Sequence, residues 1–228
     1  MSSLPLGSIV DPWPRPLPLR QSFRGRRVTL EPLSRRHAAD LFEAAQFAED
    51  SFTYVEFGPW PDQAAVEATL AAYCADPTRF CWAIRPATSG RACGFLSLRH
   101  VEPLNARLEL SEAWFGPELR RTRAASEAFF LLLGHVIDDL GYRRLGWRCN
   151  ALNQPARQAA LRLGFIFEGV LRAHQVSKSR LADSAIFSLL AAEWPAARAA
   201  LAQWLDETNF DNEGNAINSL HEIREQGR

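Results

Sequence analysis

The sequence predicts a mixed α/β domain built on one central sheet flanked by helices. Three observations lead there. Short apolar stretches bounded by glycine, proline and serine read as strands. Between them lie segments whose apolar residues recur at three- and four-residue steps, the period of a helix packed on one face. The resulting order, β-α-α-β-β-β-α-β-α-β-β-α, alternates the two types along the whole chain, which favours one shared core over separate domains.

The elements follow in order. The first twenty residues hold five prolines and one tryptophan. Proline lacks an amide donor and resists helix and strand, so residues 1–24 are expected to form an extended arm, laid across the domain by Trp13. Residues 28–32 read as a strand, and Ser34 as the cap of a helix to Ala48. The GPWPD stretch from Gly58 is a turn, after which Pro61 opens a helix ending near Ala75. Residues 80–85, 94–101 and 108–115 read as strands, the last broken by Gly116-Pro117. From Thr122 to Leu140 the residues Ala125, Phe129, Leu132, Val136 and Leu140 form one apolar stripe, and Gly141 ends the helix. A strand over 144–149 precedes a helix with Pro155 in its first turn and Gly164 as its cap. Residues 165–177 and 183–190 read as a hairpin, and a last helix runs from near Pro195 to near Trp204. That makes a sheet of about six to seven strands. The tail, 206–228, is polar and expected to be loose.

Composition narrows the function classes. Lys plus Arg and Asp plus Glu both number 26 in 228 residues. Such a balance gives no general attraction to nucleic acid or anionic membrane. No apolar run is long enough to cross a bilayer, and the start lacks the pattern of a secretory leader. The expectation is a soluble, cytoplasmic protein, monomer or homodimer, with no nucleic-acid or membrane partner. Cys74, Cys81, Cys93 and Cys149 form no ligand-spaced set, so no metal is expected.

One segment carries chemistry. A strand ending in Gly-Pro, a basic loop and a helix make an anion site, because the helix start offers free amides and partial positive charge. Arg120, Arg121 and Arg123 add full charges there. Downstream, NQPARQAALRLGFIFEGVLR begins at Asn153, and FSLLAAEWP follows Asp183. LEPLSRRHAADLF starts at Leu30.

Together these stretches resemble the GNAT superfamily of N-acetyltransferases over about residues 25–205. Their details are similar to the branch that contains the ribosomal-protein alanine N-acetyltransferases. The resemblance implies a GNAT-type fold with a mixed, mostly antiparallel sheet. It implies acetyl-CoA as cosubstrate and a primary amine as acceptor, either a protein N-terminus or a small molecule. In many members the phosphate loop reads Gln/Arg-x-x-Gly-x-Gly/Ala. Here RRTRAASEA puts Arg120 first, Arg123 in the place of the first glycine and Ala125 in the second. The expected cosubstrate-binding residues are Phe115, Arg120, Arg121, Thr122, Arg123, Ala124, Ala125, Ser126, Asn153 and Ala156. Asn153 would cap its helix and bond the pantetheine arm. A backbone amide near Ala113 to Phe115 would face the thioester oxygen.

Glu109 is the expected base, at the place where related enzymes carry a glutamate; the competing role is an ion pair with Arg107 or Arg148. Glu112, three residues on, falls on the opposite face by alternation unless a bulge re-aims it. Many members offer a tyrosine to the leaving thiolate where this chain has Ala160, so no acid is assigned; Ser177 or water are the substitutes. His135 reads as structural. His100 and His174 are alternatives for proton transfer. The aromatics from Phe52 to Trp60 form core or wall the acceptor pocket. Alternatives in function are a transferase using another acyl-CoA and a non-catalytic CoA-binding or interaction module.

Overall fold

The computed structural model describes residues 4–227. Eight strands form one sheet: β1 (Phe23–Arg24), β2 (Val28–Pro32), β3 (Phe80–Pro86), β4 (Gly94–Glu102), β5 (Arg107–Phe115), β6 (Arg144–Asn150), β7 (Ile166–Ser177) and β8 (Arg180–Leu190). Their order is β1-β2-β3-β4-β5-β6-β8-β7. The count exceeds the expected six to seven because β1, two residues at the end of the proline-rich arm, is too short to leave a pattern. Neighbours pair antiparallel except β5 with β6. A parallel pair needs a crossover, supplied by α3 (Arg123–Gly134).

The other helices are α1 (Ala38–Ala45), α2 (Gln63–Ala75), α4 (Gln154–Leu163), α5 (Trp194–Leu205) and α6 (Leu220–Gln226). The first begins later than its pattern suggests, because residues 35–37 wind as a 3-10 turn. The α3 pattern continues beyond Gly134 through a π turn, His135–Asp139. All five stripe residues, Ala125 to Leu140, are buried.

Side-chain alternation along the strands gives the sheet two cores. Trp82, Leu96, Leu98, Leu108 and Leu110 pack with α3 and α5 on one face. Cys81, Ala83, Phe95 and Trp114 pack with α1, α2, Phe52 and Trp60 on the other. Trp114 stacks on Phe52 at 5.3 Å and meets Trp60 edge-on at 5.6 Å.

Both ends differ from expectation. The arm does lie along the domain, but Trp13 is 72% exposed and does not hold it. Its backbone does: Arg15 N–H donates to Pro103 O at 3.0 Å, Tyr142 Oη to Pro16 O at 3.1 Å, and Trp82 Nε1 to Gln21 O at 2.8 Å. The tail is not loose. Leu220 and Ile223, three residues apart, are buried in the larger core, and Phe210 packs on Trp204 at 5.4 Å. Two apolar residues at helical spacing suffice to dock a segment that is polar on average.

Candidate active site

The site begins where β5 and β6 part. They are paired from Arg107/Arg144 to Leu110/Trp147 and no further. Beyond that, β5 stays with β4 as far as Phe115, and β6 stays with β8 as far as Asn150. Backbone groups on the two facing edges past the fork have no ladder partner and must be satisfied otherwise. The fork opens into a cleft of about 410 Å³, walled by Ser111, Glu112 and Ala113 on one side and Arg148, Cys149 and Asn150 on the other.

A bulge shapes one wall. Ser97 lies opposite Ser111 but Phe95 opposite Trp114, so Glu112 and Ala113 together face the single residue Leu96. Glu112 takes φ +51°, in the left-handed region uncommon for a side-chain-bearing residue. The bulge meets the condition set for Glu112 and brings it to the face that carries Glu109. There its carboxylate meets Arg99 Nη1 at 2.9 Å and Arg79 Nη1 at 2.6 Å. Asp76 lies 3.6 Å from both arginines. With two guanidinium partners, Glu112 is part of a charge network in the cleft wall.

Glu109 sits one residue before the fork ends its pairing, opposite Gly146. A Cβ at Gly146 would lie 3.0 Å from Glu109 Cγ, so glycine there gives the carboxylate room. The Oε2 atom is 3.7 Å from Arg148 Nε and 4.0 Å from His100 Nε2. Arg107, the other expected partner, turns to Glu102 at 2.6 Å instead. His100 and Arg148 line the cleft; Glu109 stands behind them.

The expected anion site lies at the start of α3. Thr122 is the N-cap: its Oγ1 accepts from Ala125 N at 3.1 Å and donates to Leu119 O at 2.7 Å. The next amides, of Arg123 and Ala124, have no intrahelical partner by position. The left-handed residue of this loop is Arg121, at φ +59°. Arg123 is the first helical residue, so its backbone does not require glycine. Its side chain turns from the loop to the tail, pairing with Glu207 and lying 3.7 Å over the Phe210 ring. Arg120 Nε donates to Phe115 O at 2.9 Å, and burial pulls its pKa down. Arg121 is exposed, with no side-chain partner among the described residues. Ser126 is buried, donating to Thr122 O at 3.4 Å and accepting from Arg162 Nη2 at 2.9 Å. Phe115 stacks on Phe129 at 5.3 Å. Glu127 accepts from the amides of Arg26 and Arg27 at 2.9 and 2.7 Å, fixing the entry to β2.

On the other side of the fork, Asn153 caps α4 as its sequence position predicts, with Oδ1 accepting from Ala156 N at 3.2 Å. Both residues line the cleft. Ala160 is fully buried and does not; the hydroxyls that do belong to Tyr54, Ser111 and Ser177. Burial pushes the Cys149 thiol up to about 11, so it stays protonated near neutral pH.

The far end is closed by two loops. Phe52 and Trp60 are core, while Tyr54, Val55 and Phe57 line the cleft, so the aromatic run serves both purposes. From the β7–β8 hairpin, Lys178 Nζ donates to Phe52 O at 2.7 Å and Gln175 Nε2 to Glu56 Oε1 at 3.3 Å. His174 Nδ1 lies 2.9 Å from Ser184 Oγ, away from the cleft. His135 is buried, with Nδ1 2.9 Å from Asp139, as a structural residue should be. Arg99 and Gln175, which carry no local motif, are cleft residues that the sequence does not point to.

The cleft lining takes in the start of α4 through Asn153 and Ala156, whereas Phe115, Arg120 to Ser126 and the start of α3 are not among the residues that line it. The family model described as Acetyltransferase (GNAT) domain matches residues 27–166. The chain belongs to this family and is an enzyme of the transferase class. It is 40% identical to a GCN5-related N-acetyltransferase from Brucella melitensis of known structure, at a TM-score of 0.91, covering 93% of this chain and 98% of that one. A probable GNAT-family acetyltransferase from Chromobacterium violaceum is 35% identical at a TM-score of 0.79, covering 85% and 98%. The ribosomal-protein-serine acetyltransferase of Escherichia coli is 33% identical over 79 residues, 35% of this chain and 44% of that protein. The chain thus matches less than half the length of that curated relative. No helix among the described residues is long and apolar enough to cross a membrane.

Proposed function

We propose that this enzyme moves the acetyl group of acetyl-CoA to a primary amine while both are bound in the cleft. The observation that carries the reading is the fork between β5 and β6, with the capped start of α4 in its lining and a second capped helix start, that of α3, following β5 in the chain. The donor set fits an acyl-CoA. The free amides of Arg123 and Ala124, with Arg120 and Arg121 nearby, would hold the pyrophosphate through hydrogen bonds and charge. Removal of the Arg123 side chain by Glu207 and Phe210 leaves that approach open. Asn153 has its Oδ1 engaged in the cap, so its NH2 group remains to donate to the pantetheine arm.

Acetyl-CoA supplies an activated carbonyl when bound. The protein must orient the amine, stabilise negative charge on the carbonyl oxygen and remove a proton. Unpaired backbone amides on the Ala113–Phe115 edge face the fork and suit the second task. Glu109 is the nearest carboxylate free of a close ion pair and suits the third. The acceptor enters between Tyr54, Phe57 and the β7–β8 hairpin. The likeness to a ribosomal-protein-serine acetyltransferase favours a protein N-terminus over a small-molecule amine. We take residues 25–205 as the catalytic body, with the arm and tail as attachments.

A thermal shift tests the binding step. Acetyl-CoA at a hundred times its dissociation constant adds about 2.7 kcal/mol, or about 5–11 °C in Tm for a chain of this size. No shift at millimolar acetyl-CoA would remove the reading. Thiol release across amines and peptides then identifies the acceptor.

A further inference from the structure

Two side chains floor the cleft at the fork. Leu110 and Trp147 are the last residues at which β5 and β6 pair. Both line the cleft, although they are only 1% and 6% exposed. Trp147 and Cys149 alternate along β6, so they share the face that packs against α3. Asn153, Cys149 and Trp147 all line the cleft, and together they form one wall that descends from the start of α4 to the floor. A pantetheine arm held at Asn153 and following this wall ends its path at the indole.

Trp147 is held in place from behind. Its ring lies 5.5 Å from that of Phe129 on α3 and 5.4 Å, edge-on, from that of Phe165. Phe129 is stacked in turn on Phe115 at 5.3 Å, and Phe165 is itself buried. In a close-packed interior one ring of such a row does not move without the next. The depth above the floor is short. Leu110 lies opposite Leu98, and the bulge at Glu112 and Ala113 faces Leu96, two residues along β4. At about 3.3 Å per residue, the amide edge stands about 7 Å above the floor. Carbon atoms in contact keep about 3.5–4.0 Å between them. About 3 Å is therefore left below a carbonyl carbon at the level of Ala113, enough for one or two further carbons at about 1.5 Å per bond and no more.

We infer that Trp147 is a specificity-determining residue: with Leu110 it stops the acyl chain and confines the transferred group to acetyl or propionyl. The inference rests on the acyl-CoA reading above and adds what limits the length of the acyl group. The sign of the effect is diagnostic. On an open apolar floor, each added methylene would tighten binding about fourfold. On a closed floor, each carbon beyond the limit meets a ring that has nowhere to go, and overpacking opposes binding.

The test uses the full chain and calorimetric titration with CoA and its acetyl, propionyl, butyryl and hexanoyl thioesters. In wild type the dissociation constant should stay within about threefold from acetyl to propionyl and rise at least about tenfold by hexanoyl. Trp147→Ala should reverse the trend, with each methylene beyond propionyl tightening binding up to about fourfold. Trp147→Phe keeps a ring against Phe129 and Phe165 and should cut the hexanoyl penalty at least about threefold; it decides the matter if the alanine variant does not fold. Binding of CoA without an acyl group should stay within about threefold of wild type in both variants, whereas a merely structural role would weaken every ligand alike. Wild-type protein that binds hexanoyl-CoA as tightly as acetyl-CoA would overturn the inference, and so would a Trp147→Phe protein with the wild-type chain-length profile. Wild-type protein that binds none of these ligands would overturn the acyl-CoA reading itself, so the two failures are told apart.

Discussion

Asn153→Asp separates two roles that one side chain combines. In the structure Oδ1 accepts from Ala156 N at 3.2 Å and closes the first turn of α4. Aspartate keeps that acceptor and caps a helix as well as asparagine does, and its charge suits a helix start. Stability should stay within about 0.5 kcal/mol, or about 2 °C in Tm. What aspartate lacks is the NH2 donor proposed for the pantetheine arm. An acceptor facing an acceptor at a partly buried site costs about 1–3 kcal/mol, so the dissociation constant for acetyl-CoA should rise about 5- to 150-fold. Asn153→Ala loses both roles: about 1 kcal/mol of cap, seen as about 2–4 °C, together with weaker binding. Differential scanning fluorimetry and calorimetric titration on the three proteins read the two effects separately. An Asn153→Asp protein that binds acetyl-CoA as wild type does would refute the donor role and move the pantetheine arm elsewhere in the cleft.

Two further outcomes follow from the fold. Gly164 closes α4 at φ +107°, and a Cβ there would lie 2.9 Å from Ala197 Cβ. Gly164→Ala should cost about 2–4 kcal/mol from backbone strain and crowding, lowering the urea midpoint by about 1–2 M. The hydrogen bond from Arg144, helped by Ser188, holds the Glu168 carboxyl below the ordinary carboxylate range against a smaller desolvation effect. A depressed carboxyl stabilises the fold above its unfolded value and loses that contribution as pH falls through the folded one. Glu168→Gln should therefore be less stable than wild type at pH 7, by under about 1 kcal/mol for so exposed a pair. The gap should close as pH falls below about 4; a gap that persists to pH 3 contradicts the pairing.

What the sequence reveals here is what nearby residues decide. Asn153, Pro155 and Gly164 mark the ends of α4 because a cap, a first-turn proline and a left-handed glycine act within one turn. The Ala125–Leu140 stripe marks a buried helix because its period is local, and it survives even the π turn. The bulge at Glu112 leaves no such mark, since it exists only in the register of β4 against β5. The docking of Leu220 and Ile223 needs a partner surface that no local window contains. Arg123 is the instructive case. Its position in the loop is legible from the chain, yet the fate of its side chain depends on Glu207 and Phe210. The left-handed backbone of His100 and its 4.0 Å approach to Glu109 likewise leave no local mark.

The grip of Glu207 on Arg123 and Arg27 also orders events in time. Those contacts span 84 and 180 residues of chain. On a ribosome adding about 5–20 residues per second, Glu207 follows Arg123 by about 4–17 s. Throughout that interval α3 and the forked strands can assemble while the Arg123 side chain has no tail to hold it. A nascent chain therefore passes through a stage with a basic, unlatched loop, before the segment that draws the arginine aside has been made.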